Sequence, residues 1–408
     1  MSLSKKKSDA EVINSTKDFK TKEINNTYFK DVDFPPNKKS LGYLPIKQID
    51  TIRWKRPHEL GSTNLVHDGI SATDVCQGHL GNCWLISAIV CIAQYPSLIK
   101  RLFPGNVVNS SSAVQVRLFN TRLNKWTILN IDSSIPCKNT NGRFIPVFSR
   151  NPKSLVDRTR SFELWPLLLE KAFAKYVGNY GMLKGGYSSF AFTCMTGITD
   201  QRCFVLQTVS PEIWKRDRES DPRCSRPLWV IKKQQKPLSD FSVSPKSSLM
   251  FLQRDERGLL KKCTSRDVCS YMLGKRGFHE DLRNQSHSVP ISSVSSNHVK
   301  GDPRLHGLSR RHAYSVLGTF RVHAYASRLC SSVFVRLRNP WGSKREWKGM
   351  FSDNWYGWDE MDPDISLSIL ESCGHIREPD GTFLMNWVDF VAAFTHIHTF
   401  EIGMDSIY

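Results

Sequence analysis

The longest apolar stretch of the chain opens at Cys83 and continues through Trp-Leu-Ile-Ser-Ala-Ile-Val-Cys-Ile to Ala93. It is too long for most strands and far short of the roughly 18 residues a membrane-crossing helix needs, so it predicts a helix buried in a globular core, with Cys83 in the first turn. Residues 113–118 and 126–131 alternate apolar and polar side chains and predict strands. Residues 167–177 are amphipathic and rich in helix formers; Pro166 suits the first turn of that helix and Gly178 its end. Between about 216 and 309 the hydrophobic spacing loses any steady period and Ser, Pro, Lys and Arg dominate. This predicts a basic mobile insertion, with short ordered pieces around 228–231 and 268–273. Strand patterning resumes at His312-Ala-Tyr-Ser-Val-Leu-Gly-Thr-Phe and at Val333-Phe-Val-Arg-Leu-Arg, which leads into Asn339-Pro-Trp-Gly. From Asp380 to Phe400 further strands and a short helix are expected. Residues 1–27, rich in Lys, Asn, Ser and Thr, predict a disordered basic tail, with order beginning near Phe29 and a second anchor at Trp54-Lys-Arg-Pro-His. No internal repeat is present.

Composition narrows this picture. A chain of 408 residues with 40% hydrophobic content can hold two or three domains and a sizeable core. The polar start has no apolar h-region, so neither a secretory signal nor a membrane span is expected. The 11 cysteines are scattered, odd in number and free of any Cys-x-x-Cys pair. This argues against a disulfide framework and a zinc ribbon, and for a reducing, cytoplasmic setting. The net charge of +19 is uneven: residues 215–311 hold 21 Lys and Arg against 10 Asp and Glu, a net +11. Nucleic acid, acidic lipid headgroups and acidic substrates are the partner classes such charge attracts, with a solvated, poorly ordered segment as the plainer reading. Nucleic-acid binding is disfavoured, because no aromatic residues are interleaved with the basic ones.

Candidate chemistry centres on Gln77-Gly-His-Leu-Gly-Asn-Cys83. A thiol in the first turn of a helix sits at the positive end of the dipole, beside unpaired N–H groups that favour thiolate. Gln77 could present a side-chain N–H where a substrate oxyanion forms. Such a nucleophile needs a base and a group to orient the base. His312 begins a strand and Asn339 ends the next one, 27 residues later. Adjacent antiparallel strands would bring those two ends together, with the Asn amide oxygen on one imidazole nitrogen and the other nitrogen facing Cys83. The chain order Cys, His, Asn is that of papain-like proteases. The 229-residue separation of Cys83 and His312 is wide, and the basic insertion accounts for most of the excess. Cys76 and Cys91 read as small buried hydrophobes.

Gln77 to Ala88, Glu163-Leu-Trp-Pro-Leu-Leu-Leu-Glu-Lys-Ala-Phe-Ala-Lys, Arg311-His-Ala-Tyr-Ser-Val-Leu, Leu337-Arg-Asn-Pro-Trp-Gly, Trp347-x-Gly-x-Phe-Ser-Asp353 and Asp380-Gly-Thr-Phe-Leu-Met together resemble the calpain protease core. Asn82, Arg311 and Trp54-Lys-Arg-Pro-His are closer to the small-optic-lobes type than to conventional calpains. The resemblance implies an α+β, papain-like cysteine protease with two subdomains flanking a cleft. Residues 28–205 would form a mainly helical first half, and 206–408 a β-barrel-like antiparallel second half containing the insertion. It implies a calcium-dependent cysteine endopeptidase that performs limited proteolysis of protein substrates in the cytosol. Cys83 would be the nucleophile, His312 the general acid and base, Asn339 the orienter and Gln77 the oxyanion donor, with Trp341 shielding the Asn–His hydrogen bond. It further implies one calcium ion in each half. The first would be held by the carbonyls of His67 and Gly69 with Asp74 and Glu163, and the second by Glu346, Asp353, the carbonyl of Glu378 and Asp380.

Some positions depart from the family pattern. Thr382 stands where conventional calpains carry a glutamate, which removes charge from the second calcium site. The loop before Glu346 has one extra residue among Ser343, Lys344 and Arg345, and the segment ahead of His312 does not align with the glycine-rich stretch of the family's cleft. The insertion would obstruct the cleft, be removed by autolysis or loop away. The chain is expected to end with the protease core, without the C-terminal domains of conventional calpains or the zinc fingers of the small-optic-lobes type. A different class of function also fits the residues: a catalytically silent, calpain-like binding or regulatory module that recruits partners through its basic insertion. Oligomeric state is not encoded in any of these features.

Overall fold

The computed structural model describes residues 28–44, 49–61, 64–105, 112–150, 163–206, 229–234, 250–252, 262–263, 265–273, 288–296, 303–322, 333–342 and 345–403. The tail expected over 1–27 lies outside them, as do Ser343 and Lys344 of the three positions among which the extra loop residue is expected. The strands are β1 (Ile52–Lys55), β2 (Val114–Asn120), β3 (Lys125–Ile131), β4 (Ile135–Thr140), β5 (Arg143–Pro146), β6 (Gln201–Leu206) and β7 (Trp229–Gln234), followed by β8 (Met250–Leu252), β9 (Lys262–Cys263), β10 (Ser288–Ser295), β11 (Ala313–Arg321), β12 (Val333–Arg338), β13 (Thr382–Asn386) and β14 (His396–Gly403). The apolar run at 83–93 is a helix, Cys83–Ala93, with every residue after Cys83 buried. A second helix, Trp165–Val177, has Pro166 in its first turn and ends at Gly178, whose φ of 114° suits a residue without a Cβ. Alternation places Val114, Val116 and Leu118 of β2 in the core, opposite β3.

The first core surrounds the Cys83–Ala93 helix and includes Trp165, Phe173, Phe190 and Tyr180, together with Ile291, Phe400 and Ile402 from the main sheet. The second core lies on the other face of that sheet and contains Tyr314, Val316, Val335, Leu337, Phe383, Phe390 and Ile397. A third cluster gathers Phe334, Phe351, Trp358 and Ile369 around the helix Pro363–Ser372.

The main sheet corrects one expectation. Its order is β13-β12-β11-β10-β14-β6-β7-β8, with β9 also on β7, and all its pairs are antiparallel. Closing a barrel requires the first and last strands to pair. Here β13 bonds only to β12 among the described residues, so the sheet is open and the β-barrel-like second half does not hold. A boundary at 205 also falls inside β6, which pairs with β14 over Gln201–Val205.

Most of the mobile insertion expected over 216–309 lies outside the described residues. The ordered pieces anticipated near 228–231 and 268–273 coincide with β7 and the helix Ser265–Met272. Strand β10 was not anticipated, yet it pairs with β14 along its full length and with β11 at one end. Its sequence, Ser-Val-Pro-Ile-Ser-Ser-Val-Ser, reads as loop because the serines look like solvent-facing residues. Ser292 and Ser293 are buried and satisfied: the Ser292 hydroxyl donates to Thr399 Oγ1 at 2.9 Å, and Ser293 Oγ lies 3.0 Å from the hydroxyls of both Ser87 and Ser188. Buried hydroxyls with partners cost little, so a serine-rich strand can run through the interior.

Candidate active site

The Cys83–Ala93 helix lies against β10 and β11. Ser315 Oγ donates to the carbonyl of Ser87 at 2.9 Å, and the Cys91 thiol donates to the carbonyl of Ser292 at 3.0 Å. This packing brings the start of β11 over the helix N-terminus, so the backbone N–H of Ala313 reaches the Cys83 sulfur. His312 immediately precedes Ala313 in the chain. Arg311, with φ of 50°, and its N–H bond to the Ser296 carbonyl at 2.7 Å turn the chain just ahead of His312. Burial pushes the Cys83 thiol up; the N–H groups of Ala313, Trp84 and Cys83 itself oppose the rise without overcoming it. The helix end therefore does not by itself hold Cys83 as thiolate, as sequence reasoning expects.

Asn339 Oδ1 lies 2.9 Å from His312 Nε2. An amide oxygen only accepts, so the imidazole proton sits on Nε2 and the lone pair on Nδ1. Asn339 is fully buried, donates through Nδ2 to the Arg345 carbonyl at 3.0 Å, and accepts from the Trp341 N–H at 3.0 Å. The Trp341 ring covers the imidazole at a centroid distance of 3.9 Å, and Tyr314 meets it edge-on at 4.9 Å. Burial lowers the His312 pKa to about 4, against the Asn339 hydrogen bond that raises it. Replacing Trp341 by alanine uncovers one ring face, so this pKa should climb toward the ordinary 6.5. The acid limb of Cys83 alkylation by iodoacetamide, followed against pH, should move up with it; an unmoved limb would show that the indole does not set the dielectric.

Gln77 lies on a loop clamped from two sides. Its N–H donates to the Pro340 carbonyl at 2.7 Å, joining it to the Asn339 turn. Behind it, Cys76 and Arg150 exchange two backbone hydrogen bonds of 2.8 Å, and the His79 N–H reaches the Val147 carbonyl at 2.9 Å. A Cβ on Gly78 would come within 1.6 Å of the Phe148 carbonyl oxygen, so only glycine permits this approach. The Gln77 Nε2 group donates one hydrogen to the Leu80 carbonyl, leaving the other for a further acceptor.

Two acidic sets behave differently. Carboxylate oxygens of Asp68, Asp74 and Glu163 lie within 4.8 Å of one another, with Asp74 and Glu163 buried and Asp68 exposed. The Asp68 N–H donates to Glu163 Oε1 at 3.2 Å, and the Ser71 N–H to Asp74 Oδ2 at 2.7 Å. Burial raises the Glu163 pKa, and Asp68 and the Asp74 charge raise it further. His67 and Gly69 flank Asp68 in the chain. This set of hard oxygen donors suits a divalent cation. Sequence reasoning missed Asp68: attention to the two flanking carbonyls passed over the carboxylate between them.

The second set has partners within the chain. Asp353 Oδ1 is 2.9 Å from His375 Nε2; Glu346 Oε1 accepts from the Gly381 N–H at 2.8 Å; and the Glu378 carbonyl accepts from the Asp380 N–H at 2.8 Å. Asp380 accepts from the Thr382 N–H at 2.6 Å and from the Thr382 hydroxyl at 3.2 Å, with the buried guanidinium of Arg338 3.5 Å from its Oδ2. Among the described residues, only Asp68, Asp74 and Glu163 converge as a metal-sized group.

An open antiparallel sheet packs against a thiol-bearing helix, with a buried imidazole just ahead of β11. Residues 29–401 match the calpain family cysteine protease domain, and the chain belongs to that family. It is 28% identical to the calpain-1 catalytic subunit of Mus musculus over 386 residues, covering 93% of this chain and 42% of the relative. The human calpain-1 catalytic subunit gives 28% over 388 residues, with 93% and 43% covered. A calpain of Schistosoma mansoni gives 29% over 384 residues, with 93% and 40% covered. The chain thus spans about two-fifths of the length of these relatives.

Proposed function

We propose that this chain is the catalytic core of a calcium-dependent cysteine endopeptidase that cuts exposed segments of cytosolic proteins at a limited number of bonds. The supporting observation is the Asn339–His312 hydrogen bond of 2.9 Å, one residue before Ala313, whose N–H reaches the Cys83 sulfur. With the proton on Nε2, His312 Nδ1 takes the thiol proton as sulfur attacks the scissile carbonyl carbon. The oxyanion accepts from the Cys83 N–H and from the remaining Gln77 Nε2 hydrogen. As the C–N bond breaks, the imidazolium returns its proton to the leaving amine, leaving a thioester. Water, deprotonated by the same nitrogen, then releases the acid and restores the thiol. In this reading two papain-like halves flank a groove that holds Cys83 and His312. Asn82, Arg311 and the Trp54 segment align the chain with the small-optic-lobes type.

Calcium held by Asp74, Glu163 and the carbonyls of His67 and Gly69, with Asp68 as a further carboxylate, would neutralise the acidic group and stiffen the segment leading into Gln77. Glu346, Asp353 and Asp380 are already engaged within the chain and would bind calcium weakly if at all. Asp74→Asn should therefore weaken calcium's effect by about 10–100-fold, whereas Asp380→Asn should change it little. Turnover of a fluorogenic peptide titrated with calcium measures both. No turnover at any calcium level, with no labelling of Cys83 by an epoxide inhibitor, would reject the protease reading.

A silent binding module is the second reading, favoured by the raised Cys83 pKa and by the Gln77 bond to Leu80. Covalent capture at Cys83 that depends on His312 separates the two. Removing 216–309 is not a clean test of the insertion, because it takes β10 out of the main sheet.

A further inference from the structure

Glu170, on the Trp165–Val177 helix, is a buried carboxylate that the mechanism above does not use. Both its oxygens are engaged: Oε1 accepts from Asn82 Nδ2 at 2.7 Å, and Oε2 accepts from the N–H and the hydroxyl of Ser149, each at 2.8 Å. Asn82 and Ser149 are themselves buried.

The two partners lie on the two pieces that build the candidate oxyanion site. Asn82 is the N-cap of the Cys83 helix, and its carbonyl accepts from the Leu85 and Ile86 N–H groups at 2.9 and 3.1 Å. An asparagine at this position ordinarily folds its side chain back onto the first-turn N–H groups. This one makes no such cap and reaches Glu170 instead. Ser149 sits between Phe148, whose carbonyl crowds Gly78, and Arg150, whose backbone pairs with Cys76. One carboxylate therefore ties the residue before the nucleophile to the segment that clamps the Gln77 loop.

We propose that Glu170 is a positioning residue for proteolysis: its carboxylate sets the Cys83 N–H and the Gln77 amide at the spacing one oxyanion requires. This rests on the protease reading above. Three donors converge on the carboxyl group, so the ionised form is the one that accepts from all of them; a protonated oxygen would face a donor with a donor. Burial raises the Glu170 pKa to about 7, against the hydrogen bonds from Ser149 and Asn82. The charged and titratable groups around it are turned elsewhere or stay neutral. Lys171 Nζ is bound to Asp132 and Ser134, Arg150 reaches His79 at 2.9 Å, and Tyr180 is held well above its ordinary pKa by burial and by the Glu170 charge. Activity should then fall as pH drops through about 7, because protonation releases one of the tethers.

The test compares wild type, Glu170→Gln and Ser149→Ala in the full chain with two readouts. Peptide turnover passes through an oxyanion, whereas alkylation of Cys83 by iodoacetamide does not. Glu170→Gln should lose about 10–100-fold in kcat, as expected for a displacement near 1 Å at the reacting groups. Its alkylation rate should stay within about threefold of wild type, since no oxyanion donor acts there. The acid limb near pH 7 should vanish in Glu170→Gln and move upward in Ser149→Ala, which removes one of the donors favouring the carboxylate. Ser149→Ala keeps the backbone donor and guards against a variant that fails to fold. Equal losses in turnover and alkylation would show a merely structural role and overturn the proposal, as would an acid limb that neither variant moves. An active wild type matched by Glu170→Gln would overturn this proposal alone; a wild type without turnover would overturn the protease reading with it.

Discussion

Replacing Cys83 by alanine should abolish peptide turnover, with a fall in kcat of at least about 10⁴-fold. The variant keeps the His312–Asn339 pair and the candidate oxyanion donors, but no side chain remains to form the thioester. Residual hydrolysis would come only from binding and oxyanion stabilisation acting on water, typically about 10³–10⁴ above the uncatalysed rate. The fold should not change, because Cys83 is only half-buried at the first turn while the residues from Trp84 to Ala93 carry the packing. Calorimetry and the fluorogenic assay on the same sample make the comparison. Turnover retained above about 1% of wild type would mean that another group attacks, since covalent catalysis cannot survive loss of its nucleophile.

The largest expected effect on stability is at a buried ion pair remote from that chemistry. Lys171 Nζ lies 2.7 Å from Asp132 Oδ1 and donates also to the carbonyls of Asp132 and Ser134, at 2.9 and 2.7 Å, with both charged side chains fully buried. Burial lowers the Lys171 pKa to about 8, against the Asp132 charge that raises it. At Asp132, burial acts upward, but the Lys171 charge and the hydrogen bonds from Lys171 and Ser134 outweigh it and hold the carboxyl below its ordinary value. Asp132→Ala would strand an ammonium in the core and should cost about 3–5 kcal/mol. That is a large part of a typical folding free energy of about 5–15 kcal/mol. The sign with pH follows from the lysine. Without Asp132 its folded pKa falls below the present value of about 8, while the unfolded value stays near 10.5, so the unfolded state binds more protons between them. The variant should regain stability as pH rises through that window. Denaturant midpoints at pH 7 and 9.5 measure this, and a loss that is the same at both would show that the ammonium is not the cause. Lys171→Met in the Asp132→Ala background should recover much of the loss at pH 7.

Legibility followed the range of the forces involved. The Cys83–Ala93 helix, β2, β3, β11 and β12 were predicted because their periodicity is written in neighbouring residues. Strand β10 was not, since its serines are stable inside only through Ser87, Ser188 and Thr399, residues far away in the chain. The same holds for Asn82, which local rules assign to capping its own helix, and for Glu170, whose depth gives its carboxyl a role that spacing does not reveal. Asp68 was visible but overlooked. The open sheet was beyond reach, because whether β13 meets another strand depends on the whole order of pairing.

What the chain's residues determined by themselves was the chemical inventory and its order: a thiol opening an apolar helix, then a histidine and an asparagine at successive strand ends. Those features depend on residue type and short-range spacing, and a linear reading captures both. Only the tertiary structure decided the protonation balance of Cys83 and His312, the carboxylate tether on Glu170 and the difference between the two acidic sets. Each depends on how much water is excluded and on which donors arrive from distant segments. Desolvation and hydrogen-bond partnership are properties of packed space, and no local pattern carries them.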